Sequence, residues 1–441
     1  MISNNFKFIF FLFLAVVVVG ACQSNKKSDV YSDWNHIDDS NEFLSNVIIE
    51  DIFTPPVASR IIVYSNLAAY ESLAALNDTI SSFHGKLNDF QIKNGDEEFS
   101  NVNPSIASFI AFHTVAKELV FSKDLVSKHL DSLKENFSAN FDQEVIEVSY
   151  AFGESIANQI VDYSKSDGYH ERTGLTRYSY DNDPGKWKAT PPDYMEGIEP
   201  NWHTLRPLIL DSASQFRPEP PTKFDSTENS QFYKEALHVY ETQNNLNDEQ
   251  VEIAKFWDCN PNISYRKGHM MFYNQKISPG GHWISISNIA TQKKGLDIYE
   301  SSRVLTLVSI SLYDAFLSCW ETKYETSLIR PITYINRYID PNWNSLLQTP
   351  AFPEYTSGHS VISTAAATVL TNLLGDDIYF EDTTETAFGL PVRTFESFLD
   401  ASNEAAISRL YGGIHYMPAI TNGVKQGDKV ANLVISRLIK K

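Results

Sequence analysis

The sequence predicts an all-α protein. Two packed helical bundles are expected, joined by a long loop belt rich in proline and aromatic residues. Three observations carry this. Apolar residues recur at helical spacing over most of the 441 positions. Convincing stretches of apolar–polar alternation, the mark of half-buried strands, are absent. Between about residues 168 and 227 prolines interrupt the pattern while Trp187, Trp202 and many tyrosines are interleaved. That composition describes a pinned, ordered cover between helical regions rather than a disordered linker.

The elements follow in order. Lys7 and the apolar run 8–19 read as a signal peptide, since the run is short for a bilayer span. Val19-Gly20-Ala21-Cys22 resembles the cleavage box of bacterial lipoproteins. The resemblance implies removal of residues 1–21, lipidation of Cys22, and a location in the bacterial cell envelope, at the periplasm or the cell surface. Residues 22–45 are polar enough for a lipid-anchored tether. Pro55-Pro56 opens a helical pattern, as proline does at a first turn. Further helices are expected over 105–121, 123–137 and 141–164, giving an N-terminal half of residues 46–225 that closes with the proline-rich belt. Helical periodicity returns at 232–246, 249–258, 281–294 and 298–324. It continues with a helix after Ser357, a segment 395–411 and a final helix to about 438. Residues 226–441 thus form the C-terminal bundle.

Net charge excludes some partners. At −19 the chain repels nucleic acid and anionic membrane surfaces, and any local gathering of Arg, Lys and His stands out. Cys259 and Cys319 are expected as two separate buried thiols, and no Cys/His spacing of metal-binding type is present. Glu71 and Asp314, in apolar helices, are expected to pair with Arg60 or Arg303. His269, His282 and Trp283 flank the turn SPGGHW, expected as an interhelical loop at or near a cavity mouth.

Three segments carry chemistry. In Trp320-Glu-Thr-Lys323 to Arg330-Pro331, the two cations are two helical turns apart, and Pro331 disfavours helical geometry at Arg330. In Glu354-Tyr355-Thr356-Ser357-Gly358-His359, Ser357 stands at the N-cap of an apolar run, with Gly358 in the first turn, where amides are open to an anion. In Ser408-Arg409 to His415, Gly412-Gly413 breaks the helix so that Arg409 and His415 can turn into one pocket. Each segment alone has a structural reading: a capped helix, cations over carbonyls, a packed histidine. Together they supply three cations, two imidazoles, a hydroxyl and helix-terminal amides. That inventory suits a tetrahedral oxyanion in the C-terminal bundle.

These segments resemble the signature of the vanadium-dependent haloperoxidase and type-2 phosphatidic acid phosphatase superfamily: Lys, six residues, Arg-Pro; Pro-Ser-Gly-His; Ser-Arg, five residues, His. The resemblance implies that Lys323, Arg330, Ser357, Gly358 and Arg409 hold vanadate or phosphate. In a haloperoxidase His415 would coordinate vanadium, His359 would act as acid–base and Lys323 would polarise peroxide, with hydrogen peroxide and halide as substrates and vanadate as cofactor. In an acid phosphatase with no cofactor, His415 would be the nucleophile toward a phosphomonoester and His359 the acid. Trp320 and Phe352 resemble aromatic positions on the halide side of chloroperoxidases. The stretches 55–62 (PPVASRII) and 183–192 (DPGKWKATPP) resemble the N-terminal half of bacterial haloperoxidase-like proteins, which favours the haloperoxidase reading. Two departures stand out. Thr356 replaces the usual proline, and Ala419 replaces the aspartate that orients the last histidine, so a backbone carbonyl or Asn422 is expected to hold His415. A non-catalytic oxyanion-binding lipoprotein is the third reading.

Overall fold

The protein is described by a computed structural model covering residues 37–93, 100–261, 263–267, 270–274 and 276–440. The signal segment, Cys22 and His269 lie outside these residues. His36–Lys441 forms one compact unit.

Helix α1 (Ile37–Glu50) begins inside the stretch expected to be a tether. Ile37, Leu44 and Val47 are buried, so amphipathic burial, not the polar composition, decides this segment. Helix α2 (Pro55–Ala75) starts on two prolines and is buried over nearly its whole length. It packs against α3 (Pro104–Leu119), whose N-cap Asn103 accepts from the Ile106 amide. Helix α5 (Gln143–Lys165) completes this layer, with the more exposed α4 (Lys123–Asn140) beside it.

The belt is held by the helices it covers. The buried Asp314 carboxylate accepts the amides of Leu208, Ile209 and Leu210 at 2.8, 2.7 and 2.8 Å. Trp187 donates its amide to Ser327, Ile198 to Ala351, and Gly185 accepts from Ile329. Asp314 therefore ties loop backbone, correcting its expected pairing with an arginine. Glu71 likewise accepts from the Ser82 hydroxyl and the Phe83 amide. Arg60 pairs instead with Asp167 at 2.6 Å, both groups buried.

The C-terminal half comprises α6 (Gln231–Asn244), α7 (Asp248–Phe256), α8 (Pro279–Lys294), α9 (Ile298–Thr326), α10 (Pro331–Tyr338), α11 (Gly358–Leu374), α12 (Phe398–Tyr411) and α13 (Met417–Val434). SPGGHW is not a free loop: Ser278 caps α8 and Pro279 opens it. Two short antiparallel hairpins join the helices, β1 (Ile263–Lys267) with β2 (Met270–Asn274) and β3 (Phe380–Asp382) with β4 (Arg393–Phe395). Sequence reading did not anticipate them; each strand is at most five residues long, too short for alternation to declare itself.

Helix α9 is the axis. By length and composition it could cross a membrane, but its apolar stretch is wholly buried within the protein. It packs on α2 from the N-terminal half and on α11 and α13 from the C-terminal half, so the two bundles share one core. Helices α11 and α13 cross closely. A Cβ at Gly427 would stand 2.2 Å from the Val361 carbonyl oxygen, so only glycine permits this approach.

Candidate active site

Four breaks in helical structure aim the motif residues inward. Helix α9 ends at Thr326, with Ser327 in the left-handed region. Arg330 is the extended N-cap of α10, where Pro331 holds it out of helical geometry. Ser357 caps α11, its Oγ accepting from the Ser360 amide and hydroxyl. Gly413, at φ +74°, turns the chain between Arg409 and His415.

The outcome is one cavity. Gly358, His359, Arg409 and His415 line it, with Trp320 and Phe352 on its aromatic side and Pro55, Cys259 and Asn260 at its edges. A surface cleft of about 680 Å³ between the belt and the end of α9 is larger but holds none of these residues. Trp320 is pinned through its indole N–H to the Ile198 carbonyl at 3.1 Å. Its ring centroid lies 5.0 Å from that of Phe352. Phe352 presents its face to Lys323 and Arg330, at 5.0 and 5.1 Å from the ring centre. Trp320 and Phe352 thus form one aromatic side of the cavity.

The key imidazole is oriented by an unexpected partner. His415 Nδ1 lies 2.8 Å from Glu354 Oε1, and the same oxygen accepts the Tyr416 amide at 2.9 Å. A carboxylate accepts, so Nδ1 carries the proton and Nε2 keeps its lone pair. Arg330 Nη1 approaches that Nε2 at 3.2 Å. Glu354 thus replaces the missing acid at position 419, and neither a backbone carbonyl nor Asn422 is the acceptor. Ala419 contributes differently: its carbonyl accepts the Ser357 amide at 3.1 Å, docking α13 to the cap of α11.

Burial sets the charges. His415 and His359 are both held well below the usual imidazole range, by burial first and then by neighbouring cations. Glu354 is pushed up to about 7 by burial, against the pull of Arg330 and Lys323. Lys323 is pushed down to about 7 by the same cause. Its Nζ donates to the carbonyls of Pro353 and Glu354 at 3.1 Å each and to that of Thr356. Three acceptors match an ammonium, because a neutral amine has only two N–H donors. Lys323 thereby ties the end of α9 to the loop before α11, with all its donors committed to backbone.

Unspent donors point to a guest. Arg330 bonds the Phe352 and Ile414 carbonyls but its Nη2 is buried without a partner; Arg409 bonds the Trp257 carbonyl but its Nε is likewise orphaned. His359 bonds the Trp257 carbonyl and leaves Nε2 buried and unpartnered. Buried polar atoms rarely stay unpaired, and these belong to the residues that the sequence gathers around one oxyanion. At Gly358 a Cβ would meet only Trp320, at 3.9 Å, so the glycine leaves room beside the first amides of α11.

The structure gathers Trp320, Phe352, Gly358, His359, Arg409 and His415 around one cavity, with Arg330 against His415; the residues that support them were not anticipated from the sequence. Glu354 stands in the quoted Ser-Gly-His segment itself; an acid flanked by Pro353 and Tyr355 ahead of a buried helix was the signal available. Trp257 and Asp258, which hold Arg409 and His359, had no such signal. Cys259 and Cys319 are free and buried, as expected.

Helical packing around a cationic nest, with an imidazole aimed at its guest, defines an oxyanion-handling α-helical enzyme fold. A family model described as the VCPO second helical-bundle domain matches residues 339–441. The structure superposes on the crystal structure of the first bacterial vanadium-dependent iodoperoxidase with a TM-score of 0.87 and 42% sequence identity, covering 92% of this chain and 96% of that one. Holo-type and apo-type bacterial vanadium-dependent chloroperoxidases follow at TM-scores of 0.66 and 0.64 with 19% and 18% identity. They cover 88% and 87% of this chain and 93% and 94% of theirs, and show the shared fold. No curated protein matches in sequence. The chain belongs to the vanadium-dependent haloperoxidase family.

Proposed function

We propose that this protein oxidises halide with hydrogen peroxide, X⁻ + H₂O₂ + H⁺ → HOX + H₂O, using vanadate held in the Gly358–His359–Arg409–His415 cavity. The observation that carries the reading is the lone pair on His415 Nε2, set by the Glu354 bond and met here by Arg330 Nη1 at 3.2 Å, beside the orphaned Arg330 Nη2 and Arg409 Nε. Bound vanadate supplies a Lewis-acid centre that activates peroxide without changing its own oxidation state. His415 Nε2 would be the protein ligand to the metal. Arg330, Arg409, the Ser357 hydroxyl and the Gly358 amide would neutralise and bond its oxygens. Lys323 adds charge from behind the loop. His359, with Nε2 open, would hold or release a proton at that atom beside the bound anion. Trp320 and Phe352 form the apolar wall on which halide approaches. Because the 42%-identical relative is an iodoperoxidase, iodide is the first halide to assay.

The test uses phosphate-free protein with orthovanadate and peroxide. Iodide, bromide and chloride oxidation are measured, with phosphomonoester hydrolysis alongside on vanadate-free protein. Oxidation that requires vanadate and vanishes in His415→Ala supports the proposal. Phosphate release alone would replace it with the phosphohistidine reading, which the same His415 tautomer serves. The non-catalytic reading loses its motive, since Glu354 supplies the orienting acid.

The lipid anchor belongs to the proposal as well. Val19-Gly20-Ala21-Cys22 supports processing at Cys22 and residence in the cell envelope. Mass spectrometry of the mature N-terminus should find an acylated Cys22, and Cys22→Ser should release the protein from membranes. An unmodified N-terminus would refute it.

A further inference from the structure

We infer that Cys259, His282 and Glu385 form a buried site for a zinc-class divalent cation, which meets the oxyanion cavity through Cys259. Cys259 Sγ lies 3.3 Å from His282 Nδ1 and 3.8 Å from Glu385 Oε1, and those two atoms are 3.4 Å apart. In tetrahedral zinc, with bonds of about 2.0–2.3 Å, neighbouring ligand atoms sit roughly 3.3–3.6 Å from one another. Two edges, 3.3 and 3.4 Å, already fall in that range, and the Sγ–Oε1 edge at 3.8 Å lies just beyond it. All three residues are buried, and Glu385 Oε2 has no partner.

A second observation points to a metal. His282 Nε2 lies 2.7 Å from Asp382 Oδ2, and the other Asp382 oxygen is held by the Thr384 amide at 3.0 Å. A carboxylate behind a histidine fixes the tautomer, so that the remaining nitrogen offers its lone pair. That nitrogen is the one facing Cys259 and Glu385. Thiolate, imidazole and carboxylate together match the donor preference of zinc better than that of magnesium or calcium.

The site clamps three elements: the segment after α7 through Cys259, the first turn of α8 through His282, and the β3–β4 hairpin through Asp382 and Glu385. Trp257 stacks on His282 at 4.7 Å. The Trp257 carbonyl in turn receives Arg409 and His359. The cation would brace the wall that positions both. The arrangement competing with it is an imidazolium donating to both carboxylates, which needs no metal.

The experiment measures metal in tag-free, vanadate-free full-length protein, so its result is separate from halide oxidation. About one zinc per chain is expected. After removal by a chelator, cobalt(II) should restore one equivalent and show a thiolate-to-cobalt charge-transfer band. That band should persist in Cys319→Ser and disappear in Cys259→Ser. Asp382→Asn should lower affinity by about 10- to 100-fold. Should a variant fail to fold, the cobalt spectra of the wild type and Cys319→Ser decide alone. Wild-type protein that carries no zinc and takes up cobalt without a thiolate band would overturn the inference, as would undiminished binding in folded Cys259→Ser.

Discussion

Replacing Glu354 should separate orientation from charge at His415. In Glu354→Ala the Nδ1 proton loses its acceptor at 2.8 Å, and the ring is free to turn or to move its proton to Nε2. A charge-assisted hydrogen bond contributes about 1.5–3 kcal/mol. Losing that bias lowers the fraction of rings able to bind, and apparent affinity falls with the fraction. At about 1.4 kcal/mol per decade, vanadate affinity drops by roughly 10- to 100-fold. An opposing effect exists, because removing a carboxylate relieves repulsion on a bound anion. Across one imidazole that is on the order of 2 kcal/mol at an effective dielectric of about 20. The Arg330 and Lys323 charges beside Glu354 oppose that repulsion, so orientation wins. Glu354→Gln keeps an oxygen facing Nδ1, because the Tyr416 amide demands an acceptor there. It should stay within about tenfold of wild type, since only the charge assistance of the bond is lost. Equilibrium dialysis of vanadate against phosphate-free protein, at a pH where Glu354 is ionised, measures both variants. Alanine binding as tightly as wild type, or glutamine as damaging as alanine, refutes the argument.

Other outcomes follow from the same geometry. Lys323, pushed down to about 7, gives up its proton as pH rises through that value, and the loss of its charge weakens anion binding. Above pH 7, binding should therefore fall by up to about tenfold per unit and be accompanied by proton uptake. Calorimetry in buffers of different ionisation enthalpy reads that uptake, and Lys323→Met should reduce it. Asp314→Ala orphans three buried amides and should cost at least about 3 kcal/mol at about 1 kcal/mol or more per amide. Urea unfolding would show this, with the 208–210 segment becoming sensitive to protease. Gly427→Ala drives a methyl into the Val361 carbonyl and should destabilise by about 1–3 kcal/mol, visible as a lowered Tm.

Sequence determined the all-helical class, most helices and the residues proposed to hold the oxyanion, because these are encoded locally. Helical periodicity, Pro331 beside Arg330, Ser357 before an apolar run and Gly412-Gly413 before His415 each act over a few residues. Tertiary structure alone decided the partners: Glu354 for His415, Asp167 for Arg60, loop amides for Asp314, and the meeting of Cys259 with His282 and Glu385 across more than a hundred positions. It also made α1 a packed helix where composition suggested a tether. The reason is physical. A buried polar group must find a partner, but any acceptor brought near by packing will satisfy it, so spacing along the chain names the group and only the folded core chooses what it meets.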